Sequence, residues 1–89
     1  MNNLLNKYEA LNAALNYIGI AAADSAVLSL RLSGSYYEIV LRTGWMKYDC
    51  FVGCVSGEIA GLDYAPFLEE TPAGISCAAF LAEDDSLAA

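Results

Sequence analysis

The sequence contains no histidine, no glutamine and only two prolines, and it sets four basic residues against eleven acidic ones. Each scarcity excludes something. Without histidine, the commonest general base and a principal zinc ligand are both missing. With Lys7, Arg31, Arg42 and Lys47 as the only cations and a net charge of −7, no basic footprint for nucleic acid can be assembled. An anionic membrane surface is disfavoured for the same reason. The longest uncharged runs, between Glu9 and Asp24 and between Glu70 and Glu83, fall short of the ~20 apolar residues that cross a bilayer, so no membrane insertion is expected. The opening residues have the outline of a signal peptide in Lys7 and Ala21-Ala22-Ala23. Glu9, Asn12 and Asn16 interrupt that run, and its apolar residues follow a helical spacing, so no export signal is expected.

Three cysteines cannot all pair within one chain. Cys50 and Cys54 are four apart on an expected strand, which separates their Cα atoms by about 13 Å, too far for a bridge. Cys77 reaches either of them only if the tail folds back. Buried thiols acting as small hydrophobes are expected. A metal centre is not: there is no C-x-x-C and no histidine. The glycines are isolated turn residues and make no phosphate-cradling loop, so neither metal nor cofactor is expected.

What is present suffices for one domain. Eighty-nine residues hold one modest core, and 57% of them are hydrophobic. Leu4, Tyr8, Leu11, Leu15 and Ile18 recur at helical spacing, which predicts a helix over residues 3–18, capped by Asn2 or Asn3 and closed by Gly19 with Ile20 folding back on Leu15. Asp24-Ser25 then reads as a turn. Leu28, Leu30 and Leu32 alternate as the inward side of a first strand, and Ser33-Gly34-Ser35 reads as a hairpin loop. A second strand carries Tyr37, Ile39 and Leu41 inward and ends at Thr43-Gly44. A third carries Tyr48, Cys50, Val52 and Cys54 inward. A turn at Ser56-Gly57-Glu58 leads to a short fourth strand over residues 59–63. The expected class is α+β: an N-terminal helix packed on one face of a four-stranded antiparallel meander. Residues 1–64 form this domain, and 65–89 form a C-terminal tail. Thr71 and Pro72 could start a second helix there through Ile75, Ala78, Ala79 and Ala82, and residues 83–89 are expected to fray.

Three segments in the family's order, EALNAALNYIGI, YYEIVLRTG and KYDCFVGCVSGEI, together resemble a PepSY domain, and the resemblance covers residues 9–63. The sequence departs from the family at Cys50, Gly53, Cys54 and Ser56, where the family tends to carry Tyr, Asp, Ala and Thr. The resemblance implies a helix-on-sheet module, cystatin-like in general appearance, without enzymatic activity of its own. It also implies association with a peptidase, which such modules are proposed to restrain, or with a bacterial envelope protein. Inhibition in the manner of a cystatin is not implied, because that mechanism uses a Gln-Val-Gly hairpin. The family usually works outside the cytoplasm, whereas three unpaired thiols favour a reducing compartment, so location stays open.

The residues themselves also point away from catalysis. Glu38 and Asp49 are expected on the outward faces of neighbouring strands, in cross-strand charge pairs with Arg42 and Lys47. No serine or cysteine has an evident activating partner. Binding is the better-supported class. Tyr36, Val40, Trp45 and Phe51 place apolar and aromatic side chains on or near the sheet face away from the helix, and such residues are enriched at interfaces. That face could be covered by the tail (Phe67, Leu68, Phe80 and Leu81), by a second copy in a two-fold homodimer, or by another protein.

Overall fold

The alternation read from Leu28 to Asp63 folds into a meander in which each strand pairs antiparallel with the next. The computed structural model describes residues 4–66 and 72–84. In chain order these form α1 (Lys7–Ile18), β1 (Ala26–Ser33), β2 (Tyr36–Arg42), β3 (Met46–Gly53), β4 (Ile59–Pro66), β5 (Ile75–Ser76) and α2 (Cys77–Leu81), with a 3-10 turn at Ala22–Asp24. The sheet order is β4-β3-β2-β1-β5. The architecture is the expected α+β one, extended by a short fifth strand and a short second helix.

One face of the sheet is the core. Tyr37, Ile39 and Leu41 of β2 oppose Val52, Cys50 and Tyr48 of β3, and Cys50 and Tyr48 in turn oppose Leu62 and Tyr64 of β4. Onto this face α1 lays Ala10, Leu11, Ala14 and Leu15. Burying Leu11, Ile39, Leu41 and Val52 completely is worth about 1.5–3 kcal/mol each before entropy is counted.

The helix begins later than the apolar stripe suggests. Asn6 is the cap: its side chain accepts from the Glu9 N–H at 2.8 Å, while the Glu9 carboxylate accepts from the Asn6 N–H at 2.9 Å. The two earlier asparagines lie outside the described residues. Leu5 is held to the sheet instead. Its N–H donates to the Cys54 carbonyl (2.7 Å), and its carbonyl accepts from the Tyr37 hydroxyl (2.7 Å). At the other end Gly19 is left-handed (φ 85°), and the Gly19 and Ile20 N–H groups both donate to the Leu15 carbonyl, the closing turn expected there.

Two further expectations are corrected. On β1 Leu30 faces the core as expected and is half-buried, and Leu32 pairs with Tyr37 on the same face but is exposed; a register shift between Val27 and Ser29 takes Leu28 out of the ladder, so the buried residue of β1 is Val27. The second helix starts at Cys77, not near Pro72, because Ile75 and Ser76 are spent as β5 against Val27 and Ala26; Thr71 lies outside the described residues. Cys77 is fully buried, and its N–H donates to the Ser25 carbonyl (2.9 Å). Phe80 meets Tyr8 of α1 with ring centroids 5.4 Å apart. Phe80 and Leu81 therefore extend the helical layer and do not cover the outer face of the sheet; Phe67 and Leu68 lie outside the described residues. Glu83 and Asp84 do not fray, since their N–H groups donate to the Phe80 and Leu81 carbonyls and Asp84 is buried. Residues 85–89 lie outside the described residues.

Candidate functional site

With α1 and α2 on one side, no element packs on the other side of the sheet among the described residues. The pleat sends every second side chain there, and the register sorts them into cross-strand rows. One row runs Arg31, Glu38, Phe51, Gly61. The next runs Ser29, Val40, Asp49, Asp63. Phe51 lies along the bare backbone of Gly61, where an added Cβ would sit 3.7 Å from the ring.

The four residues singled out in the sequence do not form one patch. Val40 and Phe51 are diagonal neighbours in the middle of the face, both half-buried. Tyr36, 44% exposed, stands at the rim beyond Phe51, opposite Gly53. Trp45, 73% exposed, sits in the β2–β3 turn, whose Thr43 hydroxyl accepts from the Trp45 and Met46 N–H groups. That places it about 20 Å from Tyr36 along β2 at strand rise.

The carboxylates are arranged differently from the expected charge pairs. Glu38 is held by Arg31, whose Nε and Nη2 donate to Oε1 at 3.2 and 3.0 Å. Arg42 turns towards the segment beyond β4 and donates to the Thr43 and Pro72 carbonyls at 3.1 and 3.0 Å. Asp49 is left beside Glu38 and directly opposite Asp63. Partial burial pushes its carboxyl above the ordinary 3.8; the Glu38 charge and a side-chain hydrogen bond with Glu38 add to this, as does Asp63, and only Lys47 pulls the other way. One of its oxygens, Oδ1, is buried without a hydrogen-bond partner. This carboxyl pair is the feature that sequence reasoning missed. Strand parity places Glu38 and Asp49 on one face, but only the register decides which cation each one meets.

Burial pushes the Cys50 thiol up to about 11, helped by the neighbouring Asp49 charge, and burial also raises Cys77. All three cysteines are unpaired and buried. No group of His, Cys, Asp or Glu among the described residues is placed to hold a metal ion. An open cleft of about 430 Å³ between the 3-10 turn and residues 73–76 carries Asp24, Ser25, Arg42, Thr43 and Ser76 as polar lining, with Arg42 already engaged. No described helix is long and apolar enough to cross a membrane. No protein-family model, curated protein or solved structure matches the chain.

Proposed function

We propose that the chain is a non-catalytic protein-interaction module that meets its partner through the open face of its sheet. One observation carries this reading: both helices lie on the same side, which leaves Val40 and Phe51 as an apolar centre ringed by Arg31, Glu38, Lys47 and Asp49. An apolar centre with a charged rim is the usual anatomy of a protein interface. The resemblance to PepSY domains suggests a peptidase or an envelope protein as the partner, which the module would dock on or restrain.

The test is affinity capture from native extract with the wild-type chain and with Phe51→Glu, whose fold is checked by circular dichroism. A specific protein retained by the wild type and lost by the variant is expected, and equal retention by both would refute the sheet-face reading. Adding the purified chain to a thermolysin-type metallopeptidase tests the finer proposal. The alternative is a homodimer through the same face, and it requires a doubled mass in solution that Phe51→Glu halves. A net charge of −7 works against such self-association.

A further inference from the structure

The sheet has two edges, and they are unlike. β5 ends one side with two residues, whereas β4 ends the other with eight and has no neighbour beyond it among the described residues. An antiparallel strand turns the N–H and C=O of every second residue away from its partner, so an edge strand is a template for another chain. Natural edges are commonly blunted by lysine, and β4 has no basic residue. Its limits are nevertheless defined. A register shift leaves Ala60 as an extra residue at one end, and Pro66, without an N–H, stops the ladder at the other. Between them Gly61, Leu62, Asp63, Tyr64 and Ala65 pair one for one with Phe51 through Lys47.

The side chains of this stretch state what would fit. On the open face Asp63 stands directly opposite Asp49, an unfavourable like-charge pair. Of the cations nearby, Arg31 is committed to Glu38, and Lys47 opposes Ala65. A cation on an added strand would fall opposite Asp63 and end the acidic row. On the helix face Leu62 is half-buried, and Tyr64, 67% exposed, leans on Tyr48 with centroids 6.3 Å apart, a shelf for aliphatic side chains. A second copy does not meet these demands, since its own β4 brings another Asp63 and no base.

We propose that the open edge of β4, from Gly61 to Ala65, binds an extended segment of a partner protein that alternates lysine or arginine with aliphatic residues. This surface is distinct from the Val40–Phe51 centre, so either proposal can fail alone. The probe is a capped hexapeptide, Val-Lys-Val-Lys-Val-Lys, titrated into the isotope-labelled full chain. The expected result is new hydrogen-exchange protection at every second amide between Gly61 and Ala65. The glutamate counterpart and an alternately N-methylated peptide should each bind at least about tenfold more weakly. Asp63→Lys, at an exposed position, should reverse the preference between lysine and glutamate peptides. Equal binding of all the peptides, binding without protection on β4, or β4 amides already protected by self-association in the free protein would each overturn the proposal.

Discussion

At Asp49 a half-buried carboxyl stands between Glu38 and Asp63, and of its charged neighbours Lys47 alone favours the ionised form. The sign of its effect on stability is set by the direction of the shift. A carboxyl raised above 3.8 in the folded chain binds its proton more tightly than it does when unfolded. Stability is therefore lost as pH rises from about 4 through the folded value, and the cost persists at pH 7. Asp49→Asn should remove both the buried charge and its repulsion, raising stability at pH 7 by about 0.5–1 kcal/mol. The gain should vanish by about pH 3, where the wild-type carboxyl is largely protonated in either state. Urea unfolding of both proteins at the two pH values checks this. A variant no more stable than wild type at pH 7 would show that the Asp49 carboxylate is not destabilising there.

At the scale of elements, the segment before β5 approaches β1 closely at Gly74. Gly74 has φ +75°, and a Cβ there would lie 2.6 Å from the Val27 carbonyl oxygen and 2.9 Å from Leu28. Gly74→Ala should therefore push β5 off β1 at a local cost of about 1–3 kcal/mol. Cys77 comes directly after β5, so its labelling by a thiol reagent should rise by about tenfold or more while that of Cys50 stays slow. Pulse labelling read by peptide mass spectrometry checks this, and unchanged Cys77 labelling would mean that α2 docks without β5. The same elements show what could be read in advance. β2 and β3 were legible because their two faces differ in polarity and short turns bound them. The bulge in β1 was not, because Leu28, Leu30 and Leu32 alternate regularly in the sequence and the shift exists only in the pairing with β2. β5 was not legible because two residues carry no period. The capping signal Asn6-x-x-Glu9 was present, but the apolar stripe starting at Leu4 drew the helix boundary too early. At the site, strand parity was legible in the sequence and cross-strand pairing was not.

For the whole molecule, the question is whether the domain ends with β4 or also needs β5 and α2. The core face of the sheet is wider than α1, and α2 fills the remainder: Cys77 is fully buried, and Phe80 and Leu81 pack against the same cluster as Val27. Phe80 and Leu81 are half-buried, so each contributes less than the about 1.5–3 kcal/mol of full burial, but together with Cys77 they still matter against the ~5–15 kcal/mol that stabilises a typical domain. Ordering residues 72–84 offsets part of this. A chain ending at Pro66 should therefore unfold at a clearly lower urea midpoint than the full chain. Its denaturant slope should also be shallower, because less surface is exposed on unfolding. Removing the segment also uncovers Val27 and leaves the Ser25 carbonyl without the Cys77 N–H, so the loss should be felt first at β1, by hydrogen exchange. If the shortened chain kept the full midpoint and slope, residues 4–66 would be a self-contained domain on which α2 merely rests.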